Sequence, residues 1–294
     1  MKAIKLFLLG MLAAQPSAVL GQTVEDTLRN IMPCCGLSHD PAIITSDTIR
    51  NDKIITNAQM ISVGASDILD TYLSQEKYTG TELRYISHTV REREQRSWSR
   101  LLVHQGGFSY VKSRSGDGSE LAGMYTFTYG AHRNWHLYGG RLSLKAGGQA
   151  DVSAGFLYNT RNSNNPAQAR LALNLSPSGG ATYRFRLLNH TSSINYEVSV
   201  PLFGVMFSPN YGQSYYEIFN RGNYDHNVVP TTIICTPSLR QMMTFDFTLR
   251  RTTLRIGWMG DWRQAKVNNL KYHEYSNLFV LGIVRKFKIT KIVP

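Results

Sequence analysis

Beyond its N-terminus the 294-residue chain has no run of about 18 apolar residues, which excludes helical membrane spans. That absence leaves a membrane barrel open, because barrel strands are short and only half apolar. Charge is scarce, at 18% of residues against the roughly 25% usual for soluble proteins. Acidic side chains are scarcer than basic ones: 20 Asp and Glu face 32 Lys and Arg, for a net charge of +12. Such a balance suits nucleic acid, an anionic membrane surface or an anionic solute. No nucleic acid is expected, because the basic residues stand singly along alternating segments, with no basic helix, zinc spacing or RNA-binding motif. Cysteine is limited to Cys34, Cys35 and Cys235, whose spacing fits no metal site. No metal, cofactor or catalytic residue is expected. In an oxidising compartment Cys235 can bond Cys34 or Cys35, or all three thiols stay free.

What the chain does have is 16 Tyr, 24 Gly and long stretches of alternation. Met243, Phe245, Phe247 and Leu249 alternate with Thr244, Asp246, Thr248 and Arg250. After Arg251 and Thr252, Leu254, Ile256, Trp258 and Trp262 face away from Arg255, Gly257, Asp261 and Arg263. Period-two alternation makes this a hairpin with one apolar and one charged face. A two-residue turn at Arg251 and Thr252 sets Thr248 opposite Arg255, with Asp246 and Arg250 on the diagonals.

Similar segments run from Thr79 to Phe287: around Leu83, Trp98 to Lys112, Leu121 to Tyr129, Arg141 to Lys145, Val152 to Tyr158 and Arg170 to Leu175. They continue at Tyr183 to Leu187, Ile194 to Val200, Ser214 to Phe219, the hairpin, and Asn277 to Phe287. A bulge is expected at Gly106 and Gly107. Turn compositions at 113–119, 146–150, 176–180 and 251–252 fall on one side. The longer connections 160–168, 220–241 and 264–276 fall on the other. Tyr125, Tyr129, Trp135, Tyr138, Tyr158, Tyr183, Trp258 and Trp262 end apolar faces, as in the aromatic girdles of a lipid-facing band. The fold expected is all-β: an antiparallel up-and-down transmembrane β-barrel of about twelve strands, ten being the alternative. A soluble sandwich explains the alternation too, but not the basic residue on nearly every polar face.

Lys2 and Lys5, the apolar run Leu6 to Ala14 and small residues before Gln22 read as a signal peptide over 1–21. Residues 22–78 alternate weakly and read as a periplasmic lead or plug, leaving 79–294 as the barrel. Asp70-Thr71-Tyr72-Leu73-Ser74 with Tyr78-Thr79-Gly80, the run Leu157 to Ala167, and the run Phe207 to Glu217 resemble an uncharacterised family of exported proteins. That family comes from Gram-negative gut anaerobes and is catalogued as a domain of unknown function. The resemblance covers roughly Asp70 to Phe287 and implies an outer-membrane barrel without an established activity.

Alternation puts Arg141, Lys145, Arg170, Arg184, Arg186, Arg255 and Arg263 toward the lumen, with Asp246 and Asp261 among the offsetting acids. These residues make an anion-preferring passage or binding site, or they neutralise one another and fill the barrel as a structural envelope protein. Arg161, Asn162, Asn164, Asn165, Tyr211, Tyr215 and Tyr216 are the loop candidates, suited to sugar contact or to capping a rigid loop. A lipid-modifying acyl-hydrolase or acyltransferase needs a serine within reach of an oriented histidine. His88, His104, His132, His136, His190, His226 and His273 are available without a local motif. The partners expected are outer-membrane lipid, lipopolysaccharide and the outer-membrane assembly machinery; the oligomeric state stays open.

Overall fold

A computed structural model describes residues 51–291, except 94, 95, 164, 250 and 251. The expected signal peptide, residues 22–50 of the expected lead, Cys34, Cys35 and Asn164 lie outside the described residues. No helix among them is long and apolar enough to cross a membrane.

The strands are β1 (Asn51–Asp70), β2 (Lys77–Arg93), β3 (Arg96–Ser113), β4 (Ser119–Leu137), β5 (Leu142–Asn159) and β6 (Ala167–Leu187). They continue with β7 (His190–Ser199), β8 (Phe203–Phe207), β9 (Val228–Thr232), β10 (Leu239–Leu249), β11 (Thr252–Val267) and β12 (Leu270–Lys291). Ten of them pair antiparallel into a closed ring, β1-β2-β3-β4-β5-β6-β7-β10-β11-β12, sealed by β1 against β12. Within the ring every strand has a neighbour on each side, while β9 pairs with β8 alone. The two short strands fall outside that ring order, yet their register explains them. One edge of β6 pairs with β7 over Ser178–Leu187 and with β8 over Ala172–Leu175, while the other edge pairs with β5. Thus β8 extends β7 past Pro201, which has no N–H to donate, and β9 runs beside β8 ahead of β10.

Large apolar side chains point outward on every ring strand. Ile61, Leu83, Phe108, Phe156, Leu173, Phe279 and Leu281 are among the exposed large apolar side chains. So are Tyr125, Tyr129, Trp135, Tyr138, Tyr158, Tyr183 and Trp258, the expected girdle residues apart from the partly covered Trp262. The alternate positions, including Glu82, Arg84, Asp151, Arg170 and Asp261, are buried inside. This is the inverse of a soluble sandwich.

Several expected boundaries move. Asn51–Asp70 is wall rather than lead. Its lumen positions include Met60 and Ile68, and its outward positions include Asn57 and Gln59, so polarity does not alternate there. The segments around Arg141–Lys145 and Val152–Tyr158 are one strand, β5, and Arg170–Leu175 and Tyr183–Leu187 are another, β6. Gly147 and Gly180 are lumen-facing positions within those strands, not turns. A Cβ built on Gly180 would lie 2.7 Å from Lys145 Cε and 2.7 Å from Tyr196 O, so the missing side chain makes room for a neighbour. Gly106 and Gly107 pair regularly with Tyr85 and Arg84, and the register shift lies at Glu92/Arg93. Ser214–Phe219 holds a short helix, α1 (Tyr215–Phe219), begun by a Ser214/Glu217 capping box rather than a strand.

The connections sort by length as an up-and-down barrel requires, at different places from those expected. At the end where β1 begins and β12 stops lie 94–95, 138–141, 188–189 and 250–251. This is called the terminal end. The other, loop end carries 71–76, 114–118, 160–166, 208–227 and the tight 268–269. The Ser113 to Ser119 turn therefore belongs with the longer loops. Leu188 and Asn189 both have positive φ, 51° and 62°, as two-residue hairpin turns demand.

Candidate functional site: the lumen and its loop-end cap

A ten-stranded barrel is only slightly wider than the eight-stranded kind that side chains fill. Here side chains cross it at several heights. Strands β1 and β6 are diametrically opposite, with four ring strands between them each way. Near the loop end Asp70 of β1 and Arg170 of β6 nevertheless form an ion pair, both nearly inaccessible to solvent. Asp70 also accepts from the Tyr72 backbone N–H at 3.0 Å, and the Gln168 amide nitrogen, turned toward it, lies at 2.9 Å. The Arg170 guanidinium sits 3.4 Å from the centre of the Tyr272 ring.

Below this pair an extended network joins six strands. Arg84 donates to Glu82 at 2.7 Å and to Asp261 of β11 at 2.6 Å. Asp261 also accepts from Arg263 at 2.8 Å and Arg240 at 3.5 Å. Arg240 reaches Asp151 of β5, which Thr128 and Ser176 hold at 2.5 and 3.1 Å. Three guanidiniums thus meet three carboxylates. Lower again, His88 of β2 and Glu197 of the diametrically opposite β7 meet at 3.0 Å, and Lys145 donates to the same carboxylate at 2.5 Å. Ala58, Met60, Ile86, Met242, Met259, Leu278, Val280 and Val284 form an apolar cluster beside these layers. Arg255 and Asp246 make a two-bond pair at 2.7 and 2.8 Å. They stand directly opposite each other, and Thr248 faces Thr253 rather than Arg255, a register different from the one expected. The lumen cavities beside these layers hold about 100 and 60 Å³.

The sequence-predicted arginines therefore separate into two groups. Lys145, Arg170, Arg255 and Arg263 point inward and are paired, as are Asp246 and Asp261. Arg141, Arg184 and Arg186 lie at the terminal end, exposed at the mouth. Arg141 caps the short 3-10 turn Tyr138–Gly140, and Arg184 donates to Gly140 O and Ser143 Oγ. Arg84 and Arg240, at the centre of the network, were missed. Arg84 does alternate with Leu83 and Tyr85, which is the signal that marks it, whereas Arg240 precedes the recognised alternation.

The three sequence motifs converge on the loop end. The Tyr72 hydroxyl donates to Gln213 O at 2.9 Å, and its ring meets Tyr215 edge-on at 5.9 Å. Tyr215 Oη accepts from Ala169 N–H at 2.7 Å. Asn162 donates to Leu73 O at 3.1 Å, and Asn159 to Tyr78 Oη at 3.1 Å. Burial pushes both the Tyr72 and Tyr215 phenols up, keeping them protonated. Beneath them Ile68, Leu73, Tyr78, Val111, Ala122 and Leu157 pack together. Asn159 accepts from the backbones of Arg161 and Asn162, and Asn162 from that of Asn165. These asparagines cap the loop backbone. Tyr211, Tyr216 and Arg161 stay exposed, and Tyr216 lies beside Arg221.

Two serine–histidine contacts occur, His132 with Ser178 at 2.7 Å and His136 with Ser143 at 2.9 Å. Neither ring has a carboxylate hydrogen-bonded to it among the described residues, and the His88–Glu197 pair contains no serine. His226 pairs with its exposed neighbour Asp225, and His273 meets Asp67. Cys235 has a free thiol that donates to Thr232 O at 3.3 Å.

Among solved structures, the transport unit of the autotransporter AIDA-I from Escherichia coli is similar at 7% identity and TM-score 0.36, over 85% of this chain and 93% of that one. The translocator domain of the autotransporter NalP from Neisseria meningitidis matches at 7% and 0.36, over 81% and 88%. The COG4313 outer membrane channel from Pseudomonas putida F1 matches at 12% and 0.30, over 85% and 100%. No curated protein matches the chain. The model of one family matches residues 7–292, and the chain belongs to that family, described as "Protein of unknown function (DUF3316)".

Proposed function

We propose that the protein is an outer-membrane barrel whose interior is closed by its own side chains, serving as a structural element of the envelope. The observation that carries this reading is the pair of full-diameter bridges, Asp70–Arg170 and His88–Glu197, with the Arg84–Asp261–Arg240–Asp151 network between them. An anion passage requires cationic side chains free to replace a solute's hydration. The inward arginines named here already have carboxylate partners. Apolar side chains on the exterior of every ring strand suit hydrocarbon, since a soluble monomer rarely exposes more than a few hundred Å² of contiguous apolar surface. Strands of 16 to 22 residues on most staves exceed the roughly 9–11 needed to span. Outer-membrane lipid, lipopolysaccharide and the assembly machinery are the partners this placement entails, and the terminal end, with its tight turns, faces the periplasm.

Two measurements test the placement and the closure separately. The chain expressed in a Gram-negative host should fractionate with the outer membrane and change gel mobility on boiling; recovery as a soluble periplasmic monomer would refute the placement. Proteoliposomes holding the folded chain should not swell in sugars or sugar acids. Swelling at a rate that rises with protein content would refute the closure while leaving the barrel intact.

A further inference from the structure

We propose that the outer wall at the terminal end, over β1 to β4, is a binding surface for the phosphate headgroups of an anionic phospholipid. This rests on the membrane placement proposed above and adds a ligand to it. Arg91 and Arg100 stand directly opposite each other on outward positions of β2 and β3, and Arg93 stands opposite both Arg96 and Lys53 in the next row. Arg133 follows on β4, opposite Trp98. Like charges directly across a pair of strands destabilise it. Among the described residues no carboxylate forms an ion pair with any of these six side chains. Glu92 occupies the alternate, inward face of β2, and Glu94, between Arg93 and Arg96 in sequence, lies outside the described residues. Guanidiniums with no carboxylate partner among the described residues suit an external anion, and a guanidinium binds phosphate through two parallel hydrogen bonds.

The surroundings point to a lipid rather than a free ion. Ile55 lies between Arg91 and Phe287 in the same cross-strand row, and Trp98 is 59% exposed beside the cluster. Charged heads next to apolar and indole surface match the boundary between headgroup and acyl chain. The polar zone also climbs the wall. Asn57 donates to Thr89 at 2.7 Å and Gln59 to Ser87 at 3.1 Å, all on outward positions just above the arginines. On the other side of the ring, the outward positions at this end include Leu144, Tyr183, Phe185, Phe247, Leu249 and Leu254, with Ser192 and His190 of β7 beside them and no Lys or Arg among them. The apolar band is therefore shorter on one side of the barrel, where headgroups can be drawn up against the cluster.

The test uses the full chain in vesicles of phosphatidylcholine with a minority of phosphatidylglycerol, the bromine quencher being carried by one lipid or the other. Variants retaining only Trp98 or only Trp258 report the two sides of the barrel. Around Trp98, phosphatidylglycerol should be favoured about fivefold, the factor expected from one basic side chain near an anionic surface. Around Trp258 the two lipids should quench about equally. Arg91→Gln/Arg100→Gln should abolish the preference at Trp98, and in pure phosphatidylcholine it should raise resistance to urea by relieving repulsion. Equal quenching at Trp98 would overturn the proposal, as would a preference that survives the double substitution. A preference for lipopolysaccharide in place of phosphatidylglycerol would overturn it too. Quenching at neither tryptophan has a different signature: it would remove the membrane placement itself.

Discussion

Severing the Asp70–Arg170 bridge should be among the most damaging changes available, and restoring electrical balance should undo most of the damage. Asp70 is 1% exposed and Arg170 6%. Removing one partner of such a buried pair typically costs about 3–5 kcal/mol, because the other charge is stranded. In Arg170→Met, the carboxylate keeps the Tyr72 N–H and the Gln168 amide. In Asp70→Asn, the guanidinium keeps the face of Tyr272, a contact worth up to about 2 kcal/mol when desolvated. Each single variant should therefore sit at the lower end, about 3 kcal/mol less stable. The double variant Asp70→Asn/Arg170→Met strands no charge and should lie within about 1 kcal/mol of wild type, far from the roughly 6 of simple additivity. Urea titration of the four proteins in detergent micelles, followed by tryptophan fluorescence, gives all the values needed. Single variants near wild type, or a double variant that is simply additive, would show that the bridge does not couple β1 to β6 and would refute this account of the cap.

Two further substitutions test local readings. Gly180→Val places a branched side chain against Lys145 and the Tyr196 carbonyl and should destabilise by about 2 kcal/mol or more; denaturant melting that is unchanged would mean Gly180 is not a spacer. Leu188→Asn puts a residue tolerant of positive φ into the β6–β7 turn and should stabilise by about 0.5–1 kcal/mol in the same assay, whereas a loss of stability would contradict the turn geometry.

The class of fold was legible because outward strand positions within the lipid-facing band are mostly apolar while inward ones need not follow any rule. That asymmetry also explains what was not legible. Long strands carry glycines inside, and Gly147 and Gly180 look like turns until the β4 backbone beside the one and the Lys145 side chain beside the other are in place. β1 escaped notice because its lumen face holds Met60 and Ile68 and its outer face Asn57 and Gln59, so its two sides have similar polarity. The inward direction of Lys145, Arg170, Arg255 and Arg263 could be read from alternation, but their partners could not. Asp70 and Arg170 are 100 positions apart in the chain. Their meeting depends on how many strands close the ring and in what register, which no local pattern encodes. The outward row Arg91, Arg93, Arg96 and Arg100 spans the β2–β3 turn, and only pairing shows that like charges face each other.

Closure of the lumen is the central claim, and single-channel recording tests it most directly. The purified full-length barrel, shown to be folded by its gel shift and inserted into a planar bilayer under a salt gradient, should give no discrete openings at moderate voltage. Steady, anion-selective steps from the unmodified protein would contradict the account, because they would require Asp70–Arg170, His88–Glu197 and the network between them to leave a continuous aqueous path.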